Sequence, residues 1–141
     1  MNNQITLAYL DYDDLDALQV VSVVSFYESF IDGADPLDMQ EYLQTQLTTE
    51  ILAVELAQST SKFIGIKDHQ ILIGYMKVND EKDAIEIQRL YLLKDYQNKG
   101  LGQRLLAEAN RYAKTKQKHY LRLTVYEKNY AGIRFYERHG F

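Results

Sequence analysis

The chain contains no cysteine and no tryptophan, one proline at Pro36, and three histidines scattered over positions 69, 119 and 139. Without cysteine there can be no disulfide framework, no thiolate metal site and no cysteine acyl-enzyme, and so few imidazoles give little material for a metal centre. Chemistry without a metal is therefore expected. No apolar run approaches the roughly 20 residues that span a bilayer, and the opening MNNQITLAYLDYDD lacks a positive segment followed by an apolar one. A cytoplasmic protein with no membrane partner is expected. The remaining shortage is regional, because no Lys or Arg precedes Lys62. The first 61 residues hold eleven Asp and Glu, whereas the rest of the chain holds all 16 Lys and Arg against nine acids. Two halves of opposite sign should prefer ligands of opposite sign, unless the charges only solvate helix faces. With no basic excess over the whole chain, a nucleic-acid partner is not expected.

What is present reads as one domain over residues 1–141, a length at which 46% hydrophobic residues can supply a core. Ile5 to Tyr9 is a strand candidate. Asp11, Asp13 and Asp14 then supply cap and first-turn carboxylates for a helix through about Phe30. The valines at 20, 21, 23 and 24 favour a strand by propensity, but the unpunctuated length from Leu15 to Phe30 favours helix. Asp35 before Pro36 opens a second helix, and Thr48 opens a segment reaching about Gln58. From Ser61 the period changes to that of strands. Phe63–Ile66 and Ile71–Val78, separated by Lys67 to Gln70, predict a hairpin, and Ala84–Leu93 predicts a third strand. A helix from Gly100 to about Thr115, a strand from Tyr120 to Val125 and a helix from about Tyr130 to His139 with Gly140 as C′ complete a mixed α/β reading.

Between the third strand and the Gly100 helix lies Gln97-Asn98-Lys99-Gly100-Leu101-Gly102. Glycines at a helix start let the backbone approach a ligand, and the unpaired first amides with the positive dipole end favour an anion such as a pyrophosphate. The same glycines would equally serve a tight strand-to-helix turn. The segment lacks the Gly-Lys-Ser/Thr of a P-loop and the GxGxxG of a dinucleotide fold. The helix that follows turns Leu101, Leu105, Leu106, Ala109, Tyr112 and Ala113 to one face.

The stretch LYLLKDYQNKGLGQRLL resembles motif A of the GCN5-related N-acetyltransferases, and TVYEKNYAGIRFYERHGF resembles their motif B, with Asn129, Ala131, Phe135, Tyr136, Gly140 and Phe141 at matching positions. ESF in the first helix, SKFIGIKDHQILIGYMKVN and VYEKN are most similar to the bacterial Pai-type spermidine/spermine N-acetyltransferases. The resemblance implies a central mixed, mostly antiparallel sheet flanked by helices. It also implies acetyl-CoA as cosubstrate and a small cationic amine, a polyamine among the candidates, as acceptor.

Carried over residue by residue, the resemblance implies that the main chain of Gln97, Asn98, Lys99, Gly100, Leu101, Gly102 and Gln103 holds the pyrophosphate, with the Lys99 charge nearby. The backbone of Leu90, Tyr91 and Leu92 would bind the pantetheine arm like an added strand, where the family's strand splays from its neighbour. Asn129 would contact the coenzyme arm, compatibly with capping the last helix. Tyr136 would protonate the departing thiolate, which a phenol with an ordinary pKa of about 10 can do.

An alkylammonium with pKa near 10.4 is neutral only about once in 2,500 molecules at pH 7, so a base or a water relay should help. Counted back from the QxxGxG loop, Glu86 matches the catalytic glutamate of histone-modifying members. On strand parity it shares a face with Gln88. Glu28 and Asp32, with Asp35 and Asp38, are candidates to line the acceptor site and attract a polycation. His69 and His119 read as surface histidines.

Members of the family usually continue into two further strands, which this sequence lacks after Phe141. The expectation is that the sequence is a shortened form, or that a second copy covers the exposed strand as a homodimer. Other readings are a coenzyme A-binding module without turnover, a transferase acting on an aminoglycoside, protein N-terminus or lysine, and a nucleic-acid-binding regulator. Fold alone does not choose among acceptors.

Overall fold

The computed structural model describes residues 4–127 and 129–141, so Lys128 of the VYEKN stretch lies outside the described residues. In chain order the elements are β1 (Ile5–Tyr9), α1 (Leu15–Phe30), α2 (Pro36–Gln46), α3 (Thr49–Ala57), β2 (Ser61–Asp68), β3 (Ile71–Asp80), β4 (Ala84–Leu92), α4 (Leu101–Thr115), β5 (Tyr120–Leu123) and α5 (Tyr130–Arg138). Their caps are those that the side chains dictate. Asp35 accepts from the amides of Leu37 and Asp38 with Pro36 behind it, and the Thr48 side chain accepts from the Ile51 amide. Gly100 and Gly140 adopt positive φ at the start of α4 and after α5, where a Cβ would add strain.

The strands form one sheet in the order β1-β2-β3-β4-β5, antiparallel except for β4 and β5, which run parallel. That parallel pair requires a crossover, and α4 provides it. Alternation sends Ile64, Ile66, Met76, Val78, Ile85 and Ile87 to one face, against α4 and Tyr136 of α5. Phe63 and Tyr75 face the opposite way, against Leu18, Val21, Phe26 and Phe30 of α1 and Leu52 of α3. The valine-rich α1 is helical because its burial recurs at helical spacing: Val21 is covered while Val20 and Val24 are exposed. Length prevailed over propensity.

Strands β2 and β3 run longer than expected, from Ser61 and to Asp80, and two other boundaries differ for clear physical reasons. The β2–β3 connection is only His69 and Gln70, both at positive φ, because a two-residue turn of that hand matches the strand twist. Strand β5 ends at Leu123 rather than Val125, and its ladder with β4 stops at Ile87–Leu123. One more bond follows, from the Thr124 amide to the Ile87 carbonyl at 3.2 Å. Beyond it, among the described residues, no strand pairs with Gln88–Leu92 on that side.

The same place carries a bulge. Lys77 pairs with Arg89 but Val78 pairs with Ile87, so Gln88 is an extra residue in β4. Side-chain parity reverses across it. Ile85 and Ile87 precede the bulge and pack on the α4 side, whereas beyond it Leu90 and Leu92 pack there and Tyr91 faces α1.

Candidate active site

The gap where β5 leaves β4 opens into two clefts. The first, of about 490 Å³, runs from Leu90–Leu92 across the loop residues Gln97, Asn98, Gly100, Gly102 and Gln103 to α5. Gly100 caps α4 at φ 79 with no side-chain bond to the helix's first amides, leaving the amides of Leu101, Gly102 and Gln103 as donors at a positive helix end. A Cβ on Gly102 would lie 2.9 Å from Cζ of Phe135, so the approach of α5 to α4 depends on that glycine. The charged residues lining this cleft are Arg134 and Arg138 of α5, one turn apart, with His139 beside them. Among the described residues no carboxylate lines it.

The second cleft, of about 470 Å³, lies between α1, α2, the bulged part of β4 and Thr124–Tyr126. Its walls are aromatic: Phe26 stacks on Tyr42 at 4.4 Å between centroids, and Phe30 meets the edge of Tyr126 at 5.8 Å. Its charged lining residues are Asp35, Asp38 and Arg89. The guanidinium of Arg89 is neutralised by two 2.9 Å hydrogen bonds to Glu55, so the uncompensated lining charge is negative. The acidic front half and the basic back half of the chain thus supply one cleft each.

Leu90, Tyr91 and Tyr136 line both clefts. Tyr136 is 8% exposed, and burial pushes its phenol up to about 12. Burial also raises the Tyr91 phenol, helped by the neighbouring tyrosines 75, 42 and 136.

The structure therefore brings together Tyr136, Leu90, Tyr91, Leu92, Gln97, Asn98, Gly100, Gly102 and Gln103, and separates the remaining candidates. Leu101 has its side chain in the core, leaving its main-chain amide, the group the sequence reading assigned to it, at the helix start; the Lys99 ammonium sits 5.7 Å over the Tyr96 ring and does not line the cleft. The Asn129 side chain accepts from the Gly132 amide at 3.0 Å, capping α5 as expected. Glu28 and Asp32, two of the residues expected to attract a polycation, do not line the second cleft. Glu28 accepts the Lys94 amide at 3.0 Å, and Asp32 is exposed in the turn after α1. Asp35 and Asp38 are the acids at the cleft, because α2 folds back over the end of α1.

Glu86 also lines neither cleft. Its carboxylate accepts from Asn79 at 2.8 Å and from the Thr124 hydroxyl at 2.7 Å. Burial alone would raise its pKa, but these hydrogen bonds together with the charges of Lys77 and Arg122 outweigh burial and hold it below the ordinary carboxylate value. It stands one hydrogen bond behind the cleft, through Thr124. Sequence reasoning missed Arg134 and Arg138, whose i, i+4 spacing in a basic segment was the available signal. It also missed Phe26, Phe30 and Tyr42, which carry no signal apart from core aromatics.

Fold and site define a transferase that holds a coenzyme with a diphosphate, and residues 23–141 match the model of the Acetyltransferase (GNAT) family. The chain belongs to this family and is an acetyl-CoA-dependent acetyltransferase. It is 31% identical over 135 residues to an uncharacterized N-acetyltransferase in the pepI 3′ region of Lactobacillus delbrueckii subsp. lactis, covering 90% of this chain and 78% of the relative. It is 28% identical over 141 residues to the spermidine N(1)-acetyltransferase of Thermoplasma acidophilum, covering 97% and 88%. The crystal structure of the PaiA N-acetyltransferase from Thermoplasma acidophilum, in complex with coenzyme A, superposes with a TM-score of 0.90 at 28% identity over 97% of this chain and 89% of that one. Among the described residues no group of His, Cys, Asp and Glu could hold a metal ion, and no helix is long and apolar enough to cross a membrane.

Proposed function

We propose that this chain acetylates a primary amine on a molecule that carries further positive charge, a polyamine such as spermidine or spermine, by direct attack in a ternary complex. The observation that carries this reading is the junction at Tyr136 of two clefts with opposite charge. The Thermoplasma relative, named for spermidine, supports the acceptor class.

Acetyl-CoA supplies an activated acetyl thioester. The amides of Leu101, Gly102 and Gln103 with Gln97, Asn98 and Gly100 would hold its diphosphate, assisted by Arg134 and Arg138. Lys99 would contribute charge at longer range, and Asn129 would keep α5 in place beside the coenzyme arm. The edge of Leu90–Leu92, where among the described residues no strand pairs, offers main-chain groups to that arm, although the Leu92 carbonyl accepts from the Gln97 side chain at 3.2 Å. As the amine nitrogen bonds to the acetyl carbon and the carbon–sulfur bond breaks, Tyr136 gives its phenolic proton to the sulfur.

On the acceptor side the aromatic walls take methylene chains and attract alkylammonium groups, while Asp35 and Asp38 favour a second cation. Glu86 is a poor final proton acceptor, since its pKa is held below that of an ordinary carboxylate. We assign it an electrostatic role through Thr124, with the ammonium proton leaving to water.

The test is an assay of coenzyme A thiol release from acetyl-CoA with spermidine. Turnover with an N-acetylated product is expected. Coenzyme A binding without any thiol release, across spermidine, aminoglycosides and peptide amines, would favour the non-catalytic module instead.

A further inference from the structure

On the α1–α3 face of the sheet, polar side chains from α3, β3 and β4 converge on one point. Glu55 of α3, besides its two bonds from Arg89, accepts from the Lys77 ammonium at 3.1 Å. Lys77 also donates to Gln88 at 2.7 Å, and Asn79 donates to both Gln88 and Glu86 at 2.8 Å. Lys77 and Arg89 are each only 4% exposed. Burial alone would raise the Glu55 carboxyl, but Arg89 and Lys77 overcome it and hold Glu55 below the ordinary carboxylate range. Lys77 is pulled below its usual value by burial, which Glu55 only partly offsets.

A buried ionic network of this kind is weak as a source of stability, since well-packed apolar replacements are often neutral or better. What this one grips is the β4 bulge. Gln88 and Arg89 are consecutive, yet both reach the same face toward Lys77 and Glu55, as only a bulge permits. Without it, a one-residue slip would turn Leu90 and Leu92 toward the acceptor cleft and Tyr91 toward α4.

We propose that Glu55 is a positioning residue for acetyl transfer: through Arg89 and Lys77 it fixes the bulge, and with it the main chain and side-chain parity of Leu90–Leu92 where the two clefts meet. Neither Glu55 nor Lys77 lines a cleft, so their effect on turnover is indirect. The inference rests on the reading that this segment receives the coenzyme arm.

The test is Glu55→Gln, with kcat, the acetyl-CoA KM and the calorimetric Kd for coenzyme A measured beside the unaltered chain. The expected result is a kcat about tenfold lower or more. Coenzyme A affinity should stay within about threefold, because the loop at Gly100 is untouched. Should Glu55→Gln fail to fold, Glu55→Gln/Lys77→Met removes one buried cation with the anion, and the same split is expected of it. A folded variant with kcat near that of the unaltered chain overturns the positioning role. So does a kcat loss that only parallels lost coenzyme A affinity, or the failure of both variants to fold, which would make the network a folding element. Absence of turnover or coenzyme A binding in the unaltered chain would instead sink the parent reading.

Discussion

In the proposed mechanism one hydroxyl, that of Tyr136, supplies the proton to the leaving sulfur, so its removal gives the cleanest residue-scale prediction. Tyr136→Phe should lower kcat by about 10²-fold or more, the lower range for a general acid, and leave coenzyme A affinity within a few-fold. The pH dependence follows from the direction of its shift. The working form is the neutral phenol, and burial pushes its pKa from 10.0 up to about 12. Activity should therefore climb with pH as the amine loses its proton, with no decline owed to Tyr136 until about pH 12. A downturn below pH 10 that vanishes in Tyr136→Phe would contradict this. The place of Tyr136 at the junction of the clefts was legible from its motif position, whereas the surroundings of Glu86 were not. Spacing from the loop placed Glu86 near the reaction, but the bonds that occupy it come from Asn79 of β3 and from Thr124 just after β5.

At the scale of elements, α2 and α5 each present charge to one cleft, and the two can be tested apart. Asp35 both caps α2, accepting the Leu37 amide at 2.8 Å, and lines the cleft proposed for the acceptor. Asp35→Asn keeps a good cap and removes the charge, so it should raise the spermidine KM several-fold at nearly unchanged stability. Asp35→Ala should in addition cost about 1 kcal/mol in denaturant unfolding. Equal KM values for both variants and the unaltered chain would remove Asp35 from the acceptor site. On α5, Arg134→Gln/Arg138→Gln should weaken coenzyme A binding about tenfold and flatten its salt dependence. An unchanged salt slope would count against these arginines.

The helices and their caps were legible because Asp35-Pro36, Thr48 and Gly100 are local signals. The bulge was not, because one extra residue reverses the faces of Leu90–Leu92 without altering composition. Nor did sequence separate Glu28 and Asp32 from Asp35 and Asp38: all lie within about three turns, and the fold-back of α2 decides which reach the cleft.

Over the whole molecule, the charge asymmetry visible in the sequence becomes a division of labour. The mixed sheet opens where β5 parts from β4, with a basic cleft on the α4–α5 side and an acidic, aromatic one under α1 and α2. That arrangement suits an anionic coenzyme meeting a cationic acceptor, and under the proposed function acceptor charge is the variable to test. The most direct measurement is the relative kcat/KM for acetylation, by product mass, of spermidine and of a monoamine of equal chain length lacking the second cation. A preference for spermidine of about tenfold or more is predicted, shrinking as salt screens Asp35 and Asp38. Equal rates with both amines at every salt concentration, or no acetylated product from either, would contradict the account.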